Sequence, residues 1–482
     1  MRTKRENNVS VMLGRLLYIG FSAQIVFGII WMAKNIVYVQ MFGDASYNLM
    51  RSSMFMGDGD VGILYPTIIL LTRALGQITY VPWFSYLYLI QLALAFLAGY
   101  FLIKEAGIFG NKARRRVWGS LVMLTFPPIL QIHMAILVNS LVLSLFMLQS
   151  ALTIRSWKTI KNKKSTAVDY VYAISGVLLF WLLMSLTKWI YIFIGAIPVF
   201  AVLVGIIVAS IRNNRAIADK LIGKLRVRRS ILLVLMTVTL FVGLTLGVDR
   251  LTTDRSISQR TEFDIDKKLF ERMAWKSRFY RQGTWLLEVQ AVVDPDTMEQ
   301  ASLYQENVKL LVLPMIEEKL DEDEAKELIR FVNRVVWNND RKEFLHDIAI
   351  DTAGYMLPPV VMRMLIEKNS YISYTPRNYD SFKRNAPVLS KYYVDYSLLW
   401  FEASLIICAV IMLLKAIGKT IKTDKNVAGA YAVIIVACMC IAFRNVMLGN
   451  SVYDYKEAGS AIIAWFMVIF VSCSTAIFDE EV

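Results

Sequence analysis

The stretch Gly43–Pro66, GDASYNLMRSSMFMGDGDVGILYP, separates the first long apolar run of the chain from a shorter one. It holds three carboxylic acids, one guanidinium and two phenols: Asp44, Asp58, Asp60, Arg51, Tyr47 and Tyr65. No other polar cluster in the sequence is so closely flanked by apolar runs. How the chain folds therefore depends on whether the run after this stretch crosses a membrane or lies on its surface.

The composition predicts an all-α polytopic membrane protein. The chain has 482 residues, of which 56% are hydrophobic and only 19% charged. A membrane-spanning helix needs about 20 apolar residues. Ten runs approach or exceed that length, at 11–33, 80–103, 117–131, 136–154, 170–187, 190–211, 230–248, 396–415, 427–443 and 458–478. Pro127 and Pro128 are expected to end one span, and Asn139 to open the next.

The segment 62–78 is apolar but short, and it contains Pro66 and Arg73. If it lies along the outer surface, all strongly basic loops fall on the side of the N-terminus: 104–116, 155–169, 212–229 and 415–425. Basic loops mark the cytoplasmic side of a membrane. We therefore expect an outer surface helix at 62–78 and a multi-pass protein of the plasma (cytoplasmic) membrane with a cytoplasmic N-terminus. The net charge of +14 then reflects topology, and no nucleic acid is expected as a partner.

Three regions follow from these boundaries. Residues 1–248 form an N-terminal transmembrane block whose first outer loop is 34–79. Residues 249–395 are charged and carry apolar residues at helical spacing, which predicts a small helical extracytoplasmic domain. Residues 396–482 supply the C-terminal transmembrane helices. All four cysteines lie in apolar runs, so no disulfide framework or zinc site is expected.

An acid just outside the first span suits one kind of surface chemistry. Moving a sugar from a lipid phosphate to a hydroxyl needs a carboxylate to take the proton and cations to stabilise the departing phosphate. Asp44 is the candidate base, and if 44–56 is helical it shares a face with Tyr47 and Arg51. Capping of that helix is its alternative role. The candidate cations are Arg51, Arg73, Lys188, Arg278 and Arg281.

Several of these residues also have ordinary structural explanations. Lys188 lies at a helix end, where lysines commonly extend toward the membrane surface. Arg278 and Arg281 alternate with aromatic residues, a pattern that suits interfacial anchoring as well as binding of a lipid diphosphate. A lone His133 near the interface is more often structural than catalytic.

The order of these features resembles the membrane glycosyltransferases of the GT-C fold. The features are an acid after the first span in GDASYN, a glycine-rich turn leading into GILYP, an apolar surface helix, and a Pro-Pro pair before a polar residue. The resemblance is strongest over residues 10–155. It implies a polyprenyl-phosphate-linked sugar donor, a glycan, lipid or protein acceptor at the cell surface, and inverting transfer on the outer face of the bilayer. It places Asp44 at the family's first-loop catalytic acid, with Tyr47, Asp58, Asp60, Tyr65, His133 and Asn139 near the substrate.

The sequence departs from the family pattern at three places. Ala45 stands where many members have a second acid, Thr67 replaces the second proline of a YPP motif, and Asn139 stands where an acid often opens the fourth span. Asp58 and Asp60 could imitate the acids of the metal-dependent branch, but turn-forming roles are favoured. We therefore expect no cofactor and a metal-independent enzyme, with a divalent metal as the less favoured possibility.

Two other classes of protein fit the same topology. A surface-polysaccharide polymerase or ligase also has many spans and a large outer loop, and would depend on arginines such as Arg278 and Arg281. A lipid-linked oligosaccharide flippase or other transporter is the third possibility. Transporters commonly carry charged groups near the midplane, whereas Arg15 and Glu402 are the few ionisable groups within the predicted spans.

Overall fold

The computed structural model of the chain describes residues 2–37, 62–109, 112–162, 166–188, 191–215, 232, 235–244, 247, 266–267, 269–273, 286–303, 308–356, 391–417 and 425–447. Apart from a single bridge residue at Lys188, the regular structure in these ranges is helical. The all-α prediction is therefore confirmed for the described part of the chain. The chain divides into two compact units, 1–253 with 358–438 and 458–482, and 254–357 with 439–457.

The first unit contains ten described helices: α1 (Arg2–Asn35), α2 (Leu64–Thr79), α3 (Trp83–Ala106), α4 (Ala113–Leu124), α5 (Pro127–His133), α6 (Val138–Lys161), α7 (Ala167–Thr187), α8 (Tyr191–Arg215), α9 (Leu235–Leu244) and, after the second unit, α14 (Lys391–Ile417). The second unit contains α10 (Leu286–Gln290), α11 (Pro295–Leu303), a π-helical turn (Val308–Val312), α12 (Leu313–Lys319) and α13 (Glu322–Met356). A last described helix is α15 (Lys425–Met447).

Five stretches of the described helices are long and apolar enough to cross a membrane: Arg15–Asn35, Trp83–Ala106, Val138–Lys161, Val168–Thr187 and Tyr191–Ala209. They coincide with five of the runs that the sequence identifies. The total of ten spans stays a prediction. The predicted span 117–131 differs, because α4 ends at Leu124 and α5 begins at Pro127.

Pro127 and Pro128 follow the end of α4 at Leu124, and they also begin the next helix, α5, which the sequence analysis did not predict. Proline fits the first turn of a helix because the N–H groups there have no partner within the helix. The missing N–H groups also remove the donors that the carbonyls of Met123 and Leu124 would use in a continuous helix. The N–H of Phe126 turns to Met123 O at 3.3 Å, which leaves the carbonyl of Val122 without its usual donor.

Side chains from distant helices donate to the carbonyls at this break. Gln24 in α1 reaches Val122 O at 3.2 Å, and the Tyr393 hydroxyl in α14 donates to Thr125 O. Backbone groups in an apolar environment must be satisfied within the protein. The break between α4 and α5 thus fixes where α1 and α14 pack.

Two glycines of α1 allow α14 and the break to come close. A Cβ on Gly20 would overlap the indole ring of Trp400 in α14. A Cβ on Gly28 would lie 2.6 Å from Cβ of Thr125 and 3.0 Å from the Tyr393 hydroxyl. Small residues at helix interfaces let backbones approach, as these two do.

Hydrogen bonds define the relative directions of α3, α6 and α7. Nζ of Lys158, near the end of α6, donates to Glu105 O near the end of α3, at 2.5 Å. Oγ of Ser156 in α6 donates to Ala173 O near the start of α7, at 2.9 Å. Consequently α3 and α6 run in one direction, and α7 runs back.

Both ends of α2 lie at one end of this helix block. Before α2, the N–H of Gly62 donates to Thr187 O at the end of α7, at 2.9 Å. After α2, Oγ of Ser85 in α3 donates to Ile36 O, just beyond α1, at 2.9 Å. We call this end the outer end, after the predicted topology. Because both ends of α2 lie here, α2 does not cross the block, and its placement on the outer surface of a membrane stays a prediction.

The second unit is organised around α13, a single 35-residue helix. Asp321 precedes it and accepts from the N–H of Glu324 at 2.8 Å, so the acidic run 321–324 starts this helix. Asp266 accepts from Nε of Arg330 at 2.7 Å, and Arg272 pairs with Asp351 at 2.5 Å. The helical signals that the sequence placed on either side of Trp337 belong to one continuous helix.

The hydrogen bond from Tyr393 to the helix break is testable by deleting one oxygen. We expect Tyr393→Phe to lower the free energy of unfolding by about 1 kcal/mol, because Thr125 O loses its donor in an apolar interior. Stability would be measured by thermal unfolding in detergent. Tyr392→Phe is the matched control, since the side chain of Tyr392 is 86% exposed. Equal effects of the two substitutions would contradict the proposed role of the bond.

Candidate functional site

The end of the Gly43–Pro66 stretch meets the turn that carries Lys188. Besides the hydrogen bond from Gly62 to Thr187, the backbones touch so closely that a Cβ on Gly62 would run into the carbonyl of Leu186. Only glycine admits this approach without a shift of the backbone. Two segments that the sequence analysis linked only by chemistry are therefore neighbours.

Backbone hydrogen bonds hold the Lys188 turn in place. The N–H of Lys188 donates to Met184 O at 2.8 Å, and its carbonyl accepts from the N–H of Tyr191 at 3.0 Å. The turn thus connects the end of α7 directly to the start of α8. The half-buried Lys188 side chain lies at the outer end, where the sequence analysis placed it.

A buried amide connects α2, α3 and α6 just beneath this contact. In the amide orientation that satisfies its partners, the side-chain oxygen of Gln91 accepts from the Tyr65 hydroxyl at 2.8 Å and from Ser140 Oγ at 2.6 Å. Its nitrogen donates to the carbonyl of His133 at 2.8 Å. The sequence analysis missed Gln91, although a lone amide within an apolar run was a usable signal.

Tyr65 is completely buried in this network. Burial raises the pKa of its phenol well above the usual range, so the hydroxyl remains a hydrogen-bond donor at neutral pH. The predicted contact of Tyr65 with substrate stays a prediction, and it would require α2 to move. In the described arrangement Tyr65 anchors the start of α2.

His133 is also completely buried, and both of its ring nitrogens have partners within the protein. Nδ1 lies 2.7 Å from Ile129 O, and Nε2 lies 3.0 Å from Ser144 Oγ. Because a carbonyl can only accept, Nδ1 carries the proton, and Nε2 of the neutral ring accepts from the serine. These bonds join the end of α5 to α6, which favours the structural role over substrate binding.

Asn139 and Arg73 occupy different parts of the outer end. Asn139 is the second residue of α6, immediately before Ser140 of the Gln91 network, and its side chain is half-buried. The guanidinium of Arg73 lies over the ring of Trp83 at 5.0 Å, which joins α2 to the start of α3. With the rise per residue of an α-helix, Arg73 lies about 16 Å along the chain from Gly62. Asn139 is thus adjacent in sequence to the Gln91 network, whereas Arg73 lies farther along α2.

The remaining predicted site residues lie outside the described residues. They are the first-loop residues Asp44, Tyr47, Arg51, Asp58 and Asp60 and the arginines Arg278 and Arg281. Arg272, the first residue of the aromatic and basic segment 272–285, is described. Its side chain is 1% exposed and is bound to Asp351, so it supports the second unit rather than facing a ligand.

The described residues contain no group of three or more His, Cys, Asp and Glu side chains that could hold a metal ion. The acids of the first loop are not among those residues. The expected independence of metal therefore stays a prediction.

Comparisons with known proteins complete the description. No protein-family model matches the chain, and no curated protein matches it. Among solved structures, the chain is similar to the crystal structure of ArnT from Cupriavidus metallidurans in the apo state. The sequence identity is 10% and the TM-score 0.32, over 96% of this chain and 76% of that chain.

The contact at Gly62 gives a direct test of the geometry. We expect Gly62→Ala to lower the free energy of unfolding by about 1–3 kcal/mol, because the added methyl group has no room beside Leu186 O. The matched control is Gly243→Ala, whose Cβ would meet no atom within 4 Å. Thermal unfolding of both variants in the same detergent measures the difference. A Gly62→Ala protein as stable as the control would show that the two segments do not touch.

Proposed function

We propose that this chain is a membrane glycosyltransferase that moves a sugar from a polyprenyl-phosphate donor to a glycan, lipid or protein acceptor on the outer face of the bilayer. The observation that carries the proposal is the hydrogen bond from Gly62 to Thr187. It brings the end of the stretch that contains Asp44 next to the turn that contains Lys188. A candidate base and a candidate phosphate-binding cation are thereby tied to one end of the helix block.

Both ends of the first loop support this assignment. Within the loop 34–79, Ile36 near its start accepts from Ser85 through its carbonyl, and Gly62 lies at the start of the part that leads into α2. Both anchors lie at the outer end. Asp44 follows Ile36 by only eight residues, which span at most about 29 Å when extended. We therefore propose that Asp44 acts near the outer end of the first unit.

The chemistry assigns one role to each group. The acceptor hydroxyl attacks the anomeric carbon of the donor sugar while the bond from that carbon to the phosphate oxygen breaks. Asp44 takes the proton of the attacking hydroxyl, which makes the oxygen a better nucleophile. Lys188 stabilises the negative charge that collects on the departing polyprenyl phosphate. Attack opposite the leaving group inverts the anomeric configuration.

Other predicted residues complete the proposed site. Arg51, Arg73, Arg278 and Arg281 stay sequence-based candidates for binding the donor phosphate, and Asn139 stays a candidate substrate ligand. The reaction as written balances without a metal or cofactor, because a carboxylate takes the proton and side-chain cations bind the phosphate. The lipid tail of the donor would remain in the bilayer beside the apolar helices.

Replacement of the base is the first test. We expect Asp44→Asn to reduce sugar transfer from a polyprenyl-phosphate sugar by about 10²–10⁴-fold, because the amide cannot accept the hydroxyl proton. Transfer would be measured with purified protein and a radiolabelled donor. Asp323→Asn is the control, since that side chain is 96% exposed on α13. Full activity of Asp44→Asn would eliminate Asp44 as the base.

Replacement of the cation is the second test. We expect Lys188→Ala to reduce kcat by about 10²-fold, as loss of one group that stabilises transition-state charge commonly does. Lys34→Ala is the matched control, because it removes the same charge as Lys188→Ala from an exposed position at the outer end of α1. Activity that instead depends on Arg278 and Arg281 would favour a polymerase or ligase. Transport of a lipid-linked sugar that survives loss of Asp44, Asp58 and Asp60 would favour a flippase.

A further inference from the structure

Gln91 lies where three segments of the proposed site come together. It is 3% exposed in α3, yet its amide contacts α2 through Tyr65, α6 through Ser140, and the connection after α5 through the His133 carbonyl. These partners are 26 to 49 positions away in the sequence. One side chain therefore joins elements that the chain connects only through long segments.

Each partner of Gln91 is next to a residue of the proposed site. Tyr65 is three residues after Gly62, whose N–H is bound to Thr187, the residue before Lys188. Ser140 directly follows Asn139. The path from the amide of Gln91 to Lys188 thus consists of a buried hydrogen bond, the first turn of α2 and one backbone hydrogen bond.

We propose that Gln91 is a positioning residue, whose buried amide holds the Lys188 turn, Asn139 and the end of the first loop in the arrangement that binds the donor phosphate. This inference rests on the proposed function. The amide of Gln91 is engaged by groups of the protein, so no contact with the reacting groups is assigned to it. It acts through its hydrogen bonds to the Tyr65 hydroxyl at 2.8 Å and to Ser140 Oγ at 2.6 Å.

Loss of the amide has a specific consequence. Ser140 Oγ keeps its hydrogen bond to Leu137 O at 2.8 Å, whereas the Tyr65 hydroxyl loses a buried partner and favours conformations that reach water or another acceptor. Movement of Tyr65 displaces the start of α2 and weakens the bond from Gly62 to Thr187. Lys188 then spends less time where it stabilises the departing phosphate, which lowers kcat more than it raises KM.

The experiment compares two buried glutamines in the full-length protein in nanodiscs. Gln91→Met keeps the size of the side chain and removes its hydrogen bonds. Gln149→Met is the matched control, because Gln149 is also fully buried and its amide joins α6 to α8 through Gly195 O at 2.8 Å. Tyr65→Phe removes a single hydroxyl, and it replaces Gln91→Met as the test variant if Gln91→Met does not fold.

Three measurements are made on each variant. Hydrogen exchange of the Gly62 amide is expected to rise at least 10-fold in Gln91→Met and Tyr65→Phe, and to stay unchanged in Gln149→Met. The value of kcat with a polyprenyl-phosphate sugar is expected to fall at least 10-fold in Gln91→Met, while KM changes less than 3-fold. In a Lys188→Ala background, Gln91→Met is expected to reduce kcat less than 2-fold further, because both changes remove the same interaction.

The outcomes separate this inference from the proposed function. Wild-type protein that transfers no sugar from any polyprenyl-phosphate donor overturns the function, and the positioning role with it. If the wild-type protein transfers sugar but Gln91→Met and Gln149→Met reduce kcat equally, only the positioning role is overturned. Additive losses of kcat in the Lys188→Ala background, or unchanged exchange at Gly62, also overturn it.

Discussion

The requirement that buried backbone groups be hydrogen-bonded governs the first unit. Pro127 and Pro128 lack the N–H groups that would continue α4, and side chains from α1 and α14 donate to the carbonyls of Val122 and Thr125 at the break. A continuous helix would have needed neither Gln24 nor Tyr393. The two prolines therefore influence where α1 and α14 pack, although both helices are distant from the break in sequence.

Neutral polar side chains, rather than charges, provide much of the specificity among the apolar helices. Gln24, Gln91 and Gln149 each reach a backbone carbonyl of another element from a fully or almost fully buried position. An amide both donates and accepts, so it can join more than one neighbour without the desolvation cost of an ion. Among the described residues, the strongly buried ion pair between Arg272 and Asp351 belongs to the second unit.

Sequence patterns predicted the long helices well because apolar length is a local property. That α2 does not cross the helix block was also predictable, since the distribution of basic loops indicates it. The short helix α5 was missed, because the sequence analysis used the proline pair only as an end signal, although proline also fits the first turn of a helix. In the second unit, the continuity of α13 through Trp337 depends on contacts with 266–273 that no local pattern contains.

The candidate site was predicted only in part. The position of Lys188 at the outer end follows from its place at a helix end. Its proximity to Gly62 does not, since the two residues are separated by more than a hundred positions and meet through backbone atoms. Gln91 was overlooked because its partners cannot be identified without knowing which helices are neighbours. Asp44 stays a prediction from its place in the sequence.

The contacts of α1 with α14 bear on how the chain is made. Tyr393 donates to Thr125, which precedes it by 268 positions, and Tyr396 donates to Gly20 O, which precedes it by 376 positions. A chain synthesised from its N-terminus places α1 and the α4–α5 break in the membrane long before α14 exists. Until then the Thr125 carbonyl and the groove at Gly20 have no partner from α14. The packing of α14 against α1 must therefore wait until residues 254–357 of the second unit have been synthesised.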